Sequence, residues 1–182
     1  LPELPDAKKT RFCTEYKLSD YDASVLVSTR EMAEYFETVA QEGGDAKIAS
    51  NWVTGDLQAL LNKSNLEISE SPIEAGRLAS LIARIKDNTI SGKIAKTVFE
   101  TMIDNPATVD EIIEEKGLKQ VTDSGEIKKL VEEVIANNPD QVQQFKDGKE
   151  QVIGYLVGQA MQLSKGKANP GQVNTLLRDK MK

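Results

Sequence analysis

Apolar residues recur at intervals of three and four along most of the chain, and alternation with a period of two is nowhere sustained. That spacing is typical of amphipathic helices. It is clearest in residues 45–63, where one stripe contains Ile48, Trp52, Val53, Leu57, Leu60 and Leu61. The pattern therefore predicts an all-α fold, with residues 45–63 as the central helix of a bundle.

Residues that cap helices set the limits of the predicted elements. Five starts combine a capping residue with Glu or Gln three positions later, at Ser71, Thr108, Asp123, Asn138 and Asn169. Glycine or asparagine marks most of the ends. The predicted helices cover residues 6–17, 20–28, 30–41, 45–63, 72–87, 91–104, 109–116, 124–136, 139–147, 150–164 and 170–180.

Charge divides the chain near Gly117. Residues 1–116 contain 13 basic and 21 acidic side chains, a net charge of −8, whereas residues 117–182 contain 10 and 8, a net charge of +2. We therefore predict two helical domains: a larger bundle over 1–116 and a small three-helix tail domain over 117–182. Glycine and short polar residues predict a hinge over 117–123.

Composition excludes several classes of protein. The chain has no histidine, which rules out Ser-His and Cys-His nucleophile pairs and histidine-ligated zinc. Cys13 has no neighbouring base and is interpreted as a packing residue. We expect no catalytic residue, no metal ligand and no membrane segment. The start at Leu1-Pro2, without Met, suggests a piece of a longer protein.

The last 38 residues carry seven basic and three acidic side chains, which suggests contact with a polyanion. Lys165, Gly166 and Lys167 follow a predicted helix, and Asn169 begins the next one. Lysines there would offset the helix dipole by about 0.3–1 kcal/mol. That effect does not explain Lys146 and Lys149 in the same small unit. Together with free N–H groups at residues 171 and 172, the lysines favour phosphate binding.

Two further features leave alternatives open. Gly154 and Gly158 lie one turn apart inside a predicted helix, where each costs about 1 kcal/mol relative to alanine. Their partner is either a neighbouring helix or an RNA backbone approaching Gly158 and Gln159. Lys93 and Lys96 lie in the first turn of another helix, against its dipole. Either RNA binding or a tertiary carboxylate partner must compensate for them.

Several stretches resemble one family. Residues 1–9, 21–26, 49–53, 89–96 and 115–120 closely resemble the C-terminal part of the B subunit of the bacterial aspartyl/glutamyl-tRNA amidotransferase, as do 154–159 and 166–170. The resemblance runs essentially from end to end. Each motif alone is weak, and the combination is specific to the family.

The resemblance implies a helical domain followed by a YqeY-like tail that together recognise tRNA without contacting DNA. In that cytoplasmic family, the complete enzyme activates the carboxylate of Glu-tRNA(Gln) or Asp-tRNA(Asn) with ATP and amidates it. The ammonia comes from a glutaminase (A) subunit, and a C subunit completes the assembly. ATP and magnesium bind N-terminal to this region, so the chain itself is expected to need no cofactor.

Two other functions fit the residues. The acidic first domain could dock another subunit, which would make the chain a helical scaffold for protein interaction. The chain could also be a free-standing YqeY-like protein, although the Leu1-Pro2-Glu3-Leu4-Pro5 start resembles an exit from a preceding domain. Salt dependence separates RNA binding from apolar docking, because contacts with phosphates weaken steeply as salt rises.

Overall fold

A computed structural model describes residues 1–120 and 124–182, and these residues are helical without a β-strand. The predicted all-α class is therefore confirmed. The α-helices are α1 Pro5–Glu15, α2 Asp20–Leu26, α3 Arg30–Gly43, α4 Ala46–Trp52, α5 Gln58–Ser64, α6 Ala75–Lys86, α7 Gly92–Asp104, α8 Val109–Lys116, α9 Ser124–Asn137, α10 Pro139–Lys146, α11 Val152–Leu163 and α12 Pro170–Lys180.

The predicted helix over 45–63 corresponds to α4 and α5, joined through a π-helical segment, Val53–Leu57. Apolar periodicity could not reveal this change of winding, because the extra residue in the turn leaves Val53 and Leu57 buried. A short 3₁₀ helix, Ile68–Glu70, was not predicted.

The predicted start of α6 at Ser71 is wrong. Ser71 Oγ instead accepts a bond from the Ile73 N–H at 3.1 Å, and α6 begins only at Ala75, with Glu74 as its N-cap. Tyr35 donates its hydroxyl to the Ile73 carbonyl at 2.7 Å, and Ile73 itself is fully buried. Burial raises the pKa of Tyr35 above its usual value. This tertiary contact holds the segment before α6 out of the helix.

The other predicted caps have mixed outcomes. Thr108 caps α8 reciprocally with Glu111, and Asn169 accepts from the Gln172 N–H. Asn138 makes no cap for α10, because its side-chain amide donates back to the Val134 carbonyl of α9 at 2.8 Å. The cap predicted at Asp123 lies outside the described residues, as does the 121–123 part of the predicted hinge.

The chain forms two compact units, and it passes between them more than once. The first contains Leu1–Asp87 and Val98–Ile112, and the second contains Asn88–Thr97 and Ile113–Lys182. The predicted boundary at Gly117, with one unit on each side, remains a prediction.

In the first unit, α3 and α6 approach so closely that there is no room for a side chain at Gly43. A Cβ added there would lie 2.9 Å from the Ile82 Cβ and 3.1 Å from the Ala79 carbonyl oxygen. Trp52 packs on Phe99 with ring centroids 5.4 Å apart, so the predicted role of Trp52 in the core is confirmed.

Arg77 of α6 forms hydrogen bonds with the 98–112 segment of the first unit. Its guanidinium donates to the carbonyls of Met102 at 3.1 Å, Asn105 at 2.8 Å and Ala107 at 2.7 Å. Those carbonyls lie at the C-terminal end of α7 and in the link to α8, where backbone acceptors lack helical partners. A cation there also offsets the negative end of the helix dipole.

The second unit has one hydrophobic core shared by α9, α10, α11 and α12. Its buried members are Ile127, Val131, Val134, Val142, Ile153, Leu156, Ala160, Ala168, Val173, Leu177 and Met181. Because four helices contribute to this core, the predicted three-helix tail is wrong. The apolar pattern had already predicted four helices between residues 124 and 180. The structure shows that α9 belongs to the same core as the other three, through Ile127, Val131 and Val134.

We predict that Arg77→Met destabilises the chain by about 2–3 kcal/mol, since it leaves several carbonyls without a charged donor. The free energy of unfolding in urea measures this loss. Arg30→Met is the matched control, because Arg30 is exposed and pairs with Glu34 on the surface, and it should change stability by less than about 1 kcal/mol. Equal effects of the two substitutions would contradict the role given to Arg77.

Candidate nucleic-acid interface

The basic loop, residues 164–169, closes the C-terminal end of α11 and leads into α12. The Gly166 N–H donates to the Met161 carbonyl at 2.7 Å, and the Lys165 N–H donates to the Gln162 carbonyl at 3.0 Å. This pair of bonds is the Schellman arrangement. Lys165 occupies the left-handed position of that motif, with φ 55°, where glycine is the usual residue.

The backbone amides of residues 164–168 in the basic loop donate to acceptors within the protein. The Lys167 N–H donates to the Ser164 carbonyl and the Ala168 N–H to Ser164 Oγ, each at 3.1 Å. The predicted free N–H at Gln172 is capped by the Asn169 side chain, also at 3.1 Å. Among the groups of the basic loop itself that were predicted to bind phosphate, the ammonium groups of Lys165 and Lys167 remain.

Lys146 and Lys149 lie at the other end of α11. Lys146 ends α10, Lys149 lies in the turn that follows, and both are exposed. The 12 residues of α11 separate this turn from the basic loop by about 18 Å. The structure therefore places the predicted lysines in two clusters, at opposite ends of one helix.

Ion pairing divides the basic residues of the last 38 positions into two groups. Arg178 lies 3.9 Å from Glu150, Lys180 lies 3.0 Å from Glu132, and Lys182 lies 3.3 Å from Asp179. The Lys180 ammonium holds the pKa of the Glu132 carboxyl below its usual value. The other four basic residues of these positions, Lys146, Lys149, Lys165 and Lys167, form no ion pair with a described residue.

Between these clusters, α11 exposes a face without charge. Gly154, Tyr155, Gly158 and Gln162 are exposed and lie within about 100° of the helix circumference; we call them the outer face of α11. A Cβ added at Gly154 or Gly158 would meet no described atom within 4 Å. Close packing of a helix of this chain on the two glycines, one of the two explanations considered from sequence, is therefore wrong. Gln159 lies half-buried at the margin of this face.

The second predicted basic cluster begins α7. Ser91 caps this helix, accepting from the Ile94 N–H at 3.1 Å. Lys93 and Lys96 are both exposed and belong to the second unit. Lys96 has an interaction partner within the protein.

Three further features of residues 1–120 and 124–182 bear on other functions: metal binding, a free thiol and membrane insertion. No group of three Asp, Glu or Cys side chains there is arranged to hold a metal ion. Cys13 is a free, partly exposed thiol, 4.0 Å from the Ser19 carbonyl and from Asp20. None of the helices in this part of the chain is both long and apolar enough to span a bilayer.

The comparison with protein families decides the assignment. Residues 34–181 match the model of a family described as the GatB domain. The chain belongs to this family.

Curated relatives of this GatB domain are much longer proteins, each the B subunit of an aspartyl/glutamyl-tRNA(Asn/Gln) amidotransferase. The chain is 59% identical to the relative from Ectopseudomonas mendocina, 57% to that from Azotobacter vinelandii and 55% to that from Thioalkalivibrio sulfidiphilus. Each match covers all of this chain and 38–39% of the relative. The resemblance noted in the sequence is thereby confirmed.

Sequence reasoning missed one residue of this GatB domain, Tyr155. Its side chain is 49% exposed, at one edge of the outer face of α11. A tyrosine within an apolar run is more often a core residue, so the residue type did not indicate that Tyr155 is exposed. The absence of any charge between Gln151 and Ser164 was visible in the sequence and was the available signal.

We predict that Lys165→Gly stabilises the GatB domain by about 1 kcal/mol, since glycine adopts the left-handed conformation without the steric cost that lysine bears. Thermal and urea unfolding measure the gain. Lys167→Gly is the control, because Lys167 does not have a positive φ, and it should not stabilise. A loss of stability in Lys165→Gly would show that the lysine makes a contact that the fold requires.

Proposed function

We propose that this chain is a tRNA-binding part of the B subunit of an aspartyl/glutamyl-tRNA(Asn/Gln) amidotransferase, acting in the bacterial cytoplasm. The second unit serves as its YqeY-like tail. It contacts the RNA backbone through the two lysine clusters at the ends of α11. The chain supplies binding, and the amidation of Glu-tRNA(Gln) or Asp-tRNA(Asn) is carried out elsewhere in the complete enzyme.

The observation that carries this proposal is the division between paired and unpaired lysines. Arg178, Lys180 and Lys182 have carboxylate partners, whereas the four lysines around α11 have none among the described residues. An unpaired cluster in a chain of net charge −6 gains no stability from local ion pairs. Phosphate groups of RNA would supply the missing counter-charges.

The chemistry of the complete enzyme belongs, in this proposal, to protein outside the matched region. The described carboxylates form no cluster suited to magnesium, so we assign no ATP-dependent step to them. ATP and magnesium would bind in the part of the B subunit that this chain does not cover. Ammonia would come from the glutaminase (A) subunit, with a C subunit as the third component.

The test replaces Lys165 and Lys167 together by Glu in the 182-residue chain. We expect weaker binding to a tRNA transcript, and a slope of log affinity against log salt that is flatter by about 1.5, because each lost phosphate contact removes about 0.7–0.9. Filter binding at several salt concentrations, with tRNA(Gln), tRNA(Asn) and a non-cognate tRNA, measures both quantities. Circular dichroism checks that the helix content is unchanged.

Lys47→Glu with Lys63→Glu is the matched control. Both lysines are exposed in the first unit, and the change in net charge is the same. An equal loss of affinity in the control would mean that overall charge, rather than the clusters around α11, governs binding. Unchanged tRNA binding in the Lys165/Lys167 variant would favour the scaffold hypothesis instead.

In the complete amidotransferase, the same double substitution should raise KM for the mischarged tRNA far more than it lowers kcat. A contact remote from the reacting carboxylate binds the ground state and the transition state nearly equally. Steady-state kinetics with the aminoacylated tRNA as the varied substrate would show the split. A reduced kcat at constant KM would point to a tail that docks another subunit.

A further inference from the structure

We infer that the outer face of α11 holds an unpaired nucleotide of the RNA, with its base stacked on the ring of Tyr155. This inference rests on the proposed tRNA binding and adds the kind of RNA feature that the second unit recognises. It also gives a role to the surface between the two lysine clusters, where no lysine is present.

Tyr155 is an exposed aromatic residue of the second unit. Its side chain is 49% exposed, and within the described part of the chain it has no hydrogen bond and no ring partner. An aromatic ring left partly in water forgoes burial of apolar area that would stabilise the fold. A partner that supplies a flat apolar surface would recover that stabilisation on binding.

The surroundings of Tyr155 leave space for such a partner. Gly154 precedes Tyr155 and Gly158 lies one turn further on, and an added Cβ at either position would meet no described atom within 4 Å outside its own helix turn. Glycine in an exposed helix costs about 1 kcal/mol relative to alanine, with no compensating contact among the described residues. A planar base could therefore lie along the ring and against the helix backbone.

Charge identifies the occupant as RNA. Residues 151–164 contain no acidic side chain, and unpaired lysines lie at both ends of the helix. The carboxylates nearest in the sequence, Asp147 and Glu150, contact Gln143 and Arg178 respectively. Lysines about 18 Å apart would hold the flanking phosphates while the neutral face between them contacts the nucleotide.

The stack requires an unpaired base. Bases within a duplex are stacked on each other, whereas bases in loops and bulges are free to stack on an aromatic side chain. Stacking also differs from phosphate binding in its salt dependence, because it releases no counterions. The contributions of Tyr155 and of the lysines can therefore be separated by experiment.

The experiment uses the full 182-residue chain with two probes, a tRNA transcript and a fully paired RNA duplex. Tyr155→Leu should weaken binding to the tRNA by about 5- to 100-fold, the range of one base–aromatic stack. The salt slope and the affinity for the duplex should not change. Tyr155→Phe keeps the ring and should bind within about threefold of the unmodified chain.

Tyr21→Leu is the matched control. Tyr21 is 77% exposed in α2 of the first unit and lies between Asp20 and Asp22, which repel phosphate. This substitution should leave tRNA binding unchanged. Gly158→Leu is a second test: it should preserve or raise the melting temperature, because leucine favours helix, and it should weaken tRNA binding by filling the space beside the ring.

A direct readout comes from tRNA transcripts with 2-aminopurine at one unpaired position at a time. One position should show quenched fluorescence on binding, and Tyr155→Leu should abolish the quenching. If Tyr155→Leu binds tRNA as the unmodified chain does, or loses tRNA and duplex equally, the stacking inference is wrong. If the variant keeps RNA binding but no longer associates with the other amidotransferase subunits, the outer face of α11 is a protein interface and the inference fails.

Failure of the stacking inference is distinguishable from failure of the proposed function. Suppose that the unmodified chain binds tRNA, that the Lys165/Lys167 variant has a flatter salt slope, and that Tyr155→Leu has no effect. The proposed tRNA binding is then supported, and the stacking inference is wrong. If the unmodified chain does not bind tRNA at all, both fall together.

Discussion

The path of the chain depends on the Arg77 guanidinium. Residues 98–112 belong to the first unit, although the residues on both sides of them belong to the second. Arg77 donates to three carbonyls between Met102 and Ala107, and so holds this returning segment against α6. A charged donor is needed there because the end of a helix exposes several acceptors without partners. Among the described residues, the buried Nε of Arg77 has no hydrogen-bond partner, so the hydrogen bonds of this group are the three to carbonyls.

In the second unit, the side of α11 that packs in the core lies opposite the side that we propose for recognition. Ile153, Leu156 and Ala160 fix the inner side of α11 in the four-helix core. The opposite side has glycines in open space and a tyrosine in water, and Lys165 at its end adopts a left-handed conformation. Each of these features lowers the stability of the isolated chain. Their concentration on one side of one helix is the physical argument that this side meets a partner.

The electrostatics of the interface follow from pairing rather than from the count of charges. The last 38 residues include ten charged side chains, and the carboxylates at Glu132, Glu150 and Asp179 have cationic partners near the C-terminal end of α12. The four lysines without an ion pair to a described residue lie at the two ends of α11. A surface ion pair contributes little to stability, but it removes a lysine from the set available to phosphate. The basic loop also satisfies its own amides, so the proposed binding of anions there depends on the side chains of Lys165 and Lys167.

Much of this molecule was determined by the sequence alone. Helical periodicity predicted the all-α class, and capping residues such as Thr108 and Asn169 placed helix starts. The basic tail predicted a polyanion-binding surface, which stays a prediction. These signals are local, since they depend on residues three or four positions apart. The tertiary structure decided what local signals do not contain: Tyr35 holds the Ile73 carbonyl and delays α6, and Arg77 recruits carbonyls from residues far along the chain. It also showed that the glycines of α11 face solvent, because the side of a helix that becomes buried is set by which neighbours pack against it.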